Sequence, residues 1–255
     1  MSNKIKIILT AVLLYLVFLI STFPASVAIN YAKSAQLLPK NIKLNGVSGS
    51  LWQGQLTTVV YQDIELDNVR WKTSLLPMFI GELELDLLIG NRRSDIKADG
   101  FLSFSSNGLS LNDFTLKTSM ETLTKVKPLP LGLTTTGKLI AKIDNFSQGQ
   151  PWCQTLNGEL NISNSLMKSP LGKLNVANFA TTLSCPQGKL TAVTKKSKNS
   201  LGIDANVIID KSKKYIIEAT VLPPSDAEKE YINFLNFSGK RNSQGEYSFK
   251  HSGRL

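Results

Sequence analysis

Glu82, Glu84 and Asp86 alternate along a short stretch, a spacing that sets three carboxylates on one face of a strand. Carboxyl groups flanking a glycosidic bond carry out glycoside hydrolysis, so this row is the first place to look for chemistry. With Leu83, Leu85 and Leu87 between them, however, the acids also form the ordinary outer face of a half-buried strand, and that reading is preferred. His251 is the single histidine. One histidine and two cysteines, Cys153 and Cys185, cannot supply the four cysteine and histidine ligands of a structural zinc site. No G-x-S-x-G, Walker A, H-E-x-x-H or C-x-x-C motif occurs, and Gly46-Val47-Ser48-Gly49 has the wrong spacing for a nucleophile elbow. The residues call for no enzyme activity, no metal and no cofactor.

The elements that would position any site begin with a membrane-directed segment. Between Lys6 and Lys33 there is no charge, and Ile7 to Phe23 is almost continuously apolar. About 20 apolar residues at 1.5 Å per residue span a hydrocarbon core of roughly 30 Å, even with a kink at Pro24. The expected division is a cytoplasmic tail at 1–6, a transmembrane helix at 7–29, a linker at 30–40 and an exported β-rich domain at 41–255. Lys4 and Lys6 at the short leading end orient the helix with its amino terminus in the cytoplasm. A cleaved signal peptide is the competing reading, because Ser26-Val27-Ala28 offers small residues behind the apolar core. The run exceeds the usual signal-peptide core of about 7–15 residues, which favours the anchor.

Export changes how the remaining residues read. In an oxidising compartment Cys153 and Cys185 become a disulfide candidate, and closing a loop of about 33 residues is worth about 3.5–4 kcal/mol in the chain-entropy model. Two buried free thiols are the alternative. The chain carries 29 Lys and Arg against 19 Asp and Glu, a net +10. Setting aside Lys4 and Lys6 leaves about +8 for the exported part, with nucleic acid excluded as a partner by the compartment. Lys195-Lys196-Ser197-Lys198 and Lys211-Ser212-Lys213-Lys214 read as polar hairpin tips flanking one strand, with a membrane surface or an acidic partner as the second reading.

From Ile42 onward the apolar period is two. Stretches such as Ile64–Trp71, Leu109–Leu116, Lys138–Ile143, Ile203–Ile208 and Tyr215–Val221 alternate cleanly and follow one another through short turns, about a dozen strands in all. The fold class is therefore mainly β: a single N-terminal transmembrane helix, then a large antiparallel, curved sheet, open-barrel or groove-like, with one or two short helices. Those helices are expected at Ser119 to Val126 and after Ser225-Asp226-Ala227-Glu228, which has capping-box spacing. Lys127-Pro128-Leu129-Pro130 either splits the domain into two sub-blocks near 125–136 or is a loop within one sheet.

The most specific string is Gly46-Val47-Ser48-Gly49-Ser50-Leu51-Trp52-Gln53-Gly54. Glycines this dense inside a strand pattern mark a bulge or a close backbone approach, and Trp52 can lay its ring over them. Trp71, Leu76-Pro77 and Gly81 follow. Together with the leading anchor and the cysteine pair, this G-x-x-G-x-x-W-x-G block and the W-x-x-x-x-L-P-x-x-x-G block resemble the N protein of the bacterial type II (general) secretion pathway (GspN). More distantly, the strand grammar is similar to that of AsmA-like envelope proteins. The resemblance implies a Gram-negative inner-membrane protein, single-pass, with a periplasmic β domain. It also implies an accessory, non-catalytic role in protein secretion through contacts with other type II secretion components. The alternative is a lipid-binding or lipid-transfer protein of the envelope, with lipid as its partner.

Overall fold

The computed structural model describes residues 3–39, 41–126, 134–169 and 172–254. The Lys127–Pro130 boundary lies outside them. The chain forms two compact units, Met1–Ser94 and Asp95–Leu255.

The first unit opens with α1 (Asn3–Ser21). Its Lys4–Ser21 window has mean hydropathy 2.2 and none of it is buried, so α1 is long and apolar enough to cross a membrane. The helix stops where Ser21 and Thr22 turn their hydroxyls back onto Phe18 O and Pro24 can offer no N–H. Helix α2 (Ala25–Ser34) resumes directly after it, with Pro24 at its N-cap. The apolar run is thus two helices, broken at the proline that allowed a kink.

Strands β1 (Ile42–Asn45), β2 (Ser48–Gly49), β3 (Gln53–Tyr61), β4 (Ile64–Ser74) and β5 (Leu83–Ile89) complete this unit. Both β1 and β2 lie antiparallel to β3; β3 and β4 form a hairpin with Tyr61 opposite Ile64; and β4 pairs β5 from Arg70–Leu88 to Ser74–Glu84.

The second unit holds β6 (Lys97–Ser105), β7 (Gly108–Ser119), β8 (Thr134–Gln148), β9 (Cys153–Ser169), β10 (Gly172–Ser184), β11 (Leu190–Asn199), β12 (Ile203–Ile209), β13 (Lys214–Val221) and β14 (Tyr247–Arg254). Each pairs antiparallel with the next in the chain. Alternation fixes the faces. One register row crosses all nine strands as Ala98, Leu116, Ala141, Leu160, Thr181, Thr194, Ala205, Ala219 and Phe249. The adjacent row reads Asp99, Thr115, Lys142, Glu159, Thr182, Val193, Asn206, Glu218 and Lys250 and lies on the opposite face. A one-residue slip would exchange an apolar face for a charged one, so the register is strongly specified.

Helices α3 (Met120–Val126) and α4 (Lys229–Ser238) fall close to the two expected places. The capping box does not form, however. Ala227 N donates to Pro224 O in a turn after the Pro223-Pro224 pair, and the helix starts later, with Glu228 at the N-cap making no side-chain cap bond. Tyr231 and Leu235 of α4 pack with Val176, Leu201, Val221 and Tyr247 into the core of this unit. Elsewhere on the apolar face, side chains such as Leu116, Leu160, Leu183 and Val207 stay only half-buried. Lys195–Lys198 is not a turn: it lies within β11, where Lys196 N donates to Asp204 Oδ1 and Lys198 Nζ pairs with Glu159 at 3.3 Å. Three closely spaced charges hid the period there. Lys211–Lys213 does occupy the β12–β13 turn, built on Asp210 Oδ1, which accepts from Ser212 N and Lys214 N.

Candidate functional site

The glycine–tryptophan block builds a junction between the apolar helix and the first sheet. Trp52 Nε1 donates to Ile20 O at 2.7 Å, a carbonyl whose i+4 residue, Pro24, has no N–H and which Phe23 N also reaches, at 3.3 Å. Leu51 N donates to Phe23 O at 2.9 Å, and Pro24 forms an antiparallel bridge with Ser50. From the other side, Trp71 Nε1 donates to Leu51 O at 3.1 Å and Thr73 N to Trp52 O at 2.7 Å. Every link passes through Ser50–Trp52, a three-residue bracket between α1 and β4.

Glycine is needed around the bracket for two different reasons. A Cβ on Gly54 would collide with the ring of Trp71 and lie 2.9 Å from Ser48 O. The ring over the bare backbone is therefore that of Trp71, not Trp52, whose indole is turned to α1 instead. Gly49 has φ +88°, and a Cβ there would meet Gln53 O at 2.5 Å; Gly46, at φ +66°, lies against Thr57. Gly81 has open space around it but φ +80°, which ends the single 3₁₀ turn opened by Pro77.

The other candidates are dispersed. Lys4 and Lys6 lie in the first turns of α1. Glu84 accepts a hydrogen bond from Ser74 Oγ at 2.8 Å, Asp86 stands opposite Lys72 in the β4–β5 register, and Glu82 precedes β5. A cavity of about 570 Å³ over this region is lined by Ser48, Gln53, Arg70, Trp71, Asp86 and Leu88 among others, a mixed polar and apolar set. Among the described residues no group of three or more metal-ligating side chains converges. Cys153 and Cys185 are joined in a disulfide with Cα atoms 6.2 Å apart, linking the start of β9 to the residue after β10. Nearby, Trp152 Nε1 donates to Asp210 O at 2.7 Å. The Ser212 hydroxyl holds the Asp210 carboxyl below its usual range, and Asn161 and Lys198 do the same for Glu159. His251 on β14 shares a 3.2 Å hydrogen bond with Tyr215. These interactions brace strands and turns.

Residues 40–250 match the family model described as Type II secretion system (T2SS), protein N. The chain belongs to the type II secretion system protein N family. Among its relatives, the Type II secretion system protein N of Aeromonas hydrophila is 28% identical over the full length of both chains. That of Vibrio cholerae serotype O1 is 26% identical over 91% of each, and that of Pectobacterium carotovorum is 25% identical over 96% of this chain and 94% of its own. No solved structure matches.

In this member of the protein N family, two parts of the junction carry no residue signature. The acceptors on the helical side are the main-chain carbonyls of Ile20 and Phe23. Their only sequence trace is the helix break at Thr22-Phe23-Pro24. The other is the exposure of the β4–β5 tip: Leu76, Pro77 and Gly81 stand in the sequence motif, but the hydrophobic run there has no period to tell a buried side chain from an exposed one.

Proposed function

We propose that this protein N family member is an accessory, non-catalytic inner-membrane component of the type II secretion system, working through protein–protein contacts in the periplasm. Helix α1 crosses the membrane once, with Lys4 and Lys6 in the cytoplasm, and residues from the linker at 30–40 onward lie in the periplasm. The observation that carries this reading is the Ser50–Trp52 bracket, which ties the end of α1 to the first sheet by direct hydrogen bonds. A chain built this way keeps its first strands beside the membrane end of α1.

Partner contact is assigned to the sheet edge. Strand β14 pairs with β13 on one side and has on the other only the single bridge between Arg241 and Tyr247 among the described residues. An unpaired row of main-chain donors and acceptors binds an incoming strand by β-augmentation. Prolines at the outward amides of β14 abolish co-purification of other secretion components, and undiminished co-purification counts against the assignment.

The half-buried apolar face of the second unit favours one alternative, an envelope lipid-binding role. Mass spectrometry of organic extracts from the purified protein separates the two: a stoichiometric lipid supports the alternative.

A further inference from the structure

The β4–β5 tip, Leu75 to Gly81, reads Leu-Leu-Pro-Met-Phe-Ile-Gly, and its nearest charges are Lys72 and Glu82. Leu76 is 82% exposed, Phe79 87% and Ile80 80%, and Leu75 and Met78 are exposed beside them. Lone apolar side chains on a surface are ordinary, but five within six residues mark a binding surface.

The site of this tip limits what can cover it. Trp52 donates through Nε1 to Ile20 O on α1 and accepts through its own carbonyl from Thr73 N on β4. Strand β4 therefore runs out at the end of α1, and the tip continues past Thr73 at that same end of the sheet. The tip is also closed on itself. Met78 N donates to Leu75 O, Phe79 N to Leu76 O, Gly81 N to Met78 O and Glu82 N to Pro77 O, at 3.0–3.2 Å. With the amides of Met78, Phe79, Gly81 and Glu82 satisfied internally, few donors remain to be desolvated on entering an apolar phase.

We infer that the β4–β5 tip is a second membrane contact, in which Leu76, Phe79 and Ile80 enter the periplasmic leaflet of the bilayer that α1 spans. The partner is lipid hydrocarbon just below the headgroups, where apolar side chains flanked by polar residues bind. The inference rests on the reading of α1 as membrane-spanning. One helix alone lets the first sheet swivel about its axis. A tip inserted beside it sets the rotation and the tilt of that sheet.

The test uses the full chain, disulfide intact, in vesicles of phosphatidylethanolamine and phosphatidylglycerol. An environment-sensitive fluorophore is attached at Phe79→Cys, at Leu13→Cys in the middle of α1, and at Asp63→Cys in the β3–β4 turn. Lipids bearing a shallow nitroxide should remove most of the emission at position 79 and leave position 63 unchanged, with a blue shift at 79 as well. Emission at 79 as unquenched as at 63, while a deep nitroxide quenches position 13, overturns the inference and leaves the anchor standing. If position 13 is also unquenched, the anchor reading fails first and the inference fails with it. Shielding of position 79 that appears only on adding purified secretion components makes the tip a protein contact and overturns the lipid assignment.

Discussion

At the residue scale, Gly54 and Gly81 show two uses of glycine that look alike in sequence. Gly54→Ala drives a methyl into the Trp71 ring and toward Ser48 O, an overpacking that costs about 1–3 kcal/mol. Combining it with Trp71→Leu restores part of the loss in thermal unfolding midpoint. Gly81→Ala meets no atom within 4 Å and costs only the left-handed backbone, about 1–2 kcal/mol. Its deficit is not relieved by changing Trp71. Tyr231 makes a second residue-level prediction. Its hydroxyl donates to Leu201 O at 2.8 Å, and burial pushes its pKa up from 10.0 to about 12. Because the folded state holds this proton more tightly, its contribution is complete below about pH 10 and is lost as pH rises through about 12. Tyr231→Phe should cost about 1 kcal/mol at neutral pH and flatten the alkaline fall in the unfolding midpoint. An unchanged fall would assign it to other groups.

At the element scale, the disulfide closes the β9–β10 hairpin at its open end. Reduction should lower the unfolding free energy by about 3–4 kcal/mol in the chain-entropy model. A midpoint unmoved by reductant would mean that the bridge is energetically idle. Elements were the most legible part of the sequence. Strands with clean alternation, such as Ile203–Ile209 and Lys214–Val221, and the brief loops between them dictated a mainly antiparallel β fold. Legibility failed where a local signal competed with a stronger constraint. The capping box before α4 gave way to the Pro223-Pro224 turn, and Lys195–Lys198 was hidden inside β11 by its own charges. The glycine–tryptophan block was visible as a close approach. Which indole covers Gly54 was not, because Trp52 stands inside the glycine block and only the Ile20 carbonyl, which leaves no residue signature, turns its ring away.

At the scale of the whole molecule, the proposed role rests on contacts. The acids Glu84 and Glu159 are engaged with Ser74 and Lys198, and the cavity over β3 and β4 has a mixed polar and apolar lining. What stands out is a helix long and apolar enough to cross a membrane bracketed to a sheet, an apolar tip at the same end of that sheet, and a long strand edge at β14. The central claim is that this edge engages other secretion components at the inner membrane. Site-specific photo-cross-linking along β14 in cells that assemble the secretion system tests it most directly, with probes at Ser248, Lys250 and Ser252. The account predicts cross-links from these positions to another secretion component, lost when the outward amides of β14 are blocked by proline. Cross-links to lipid alone, or to no secretion component while secretion proceeds, would contradict it.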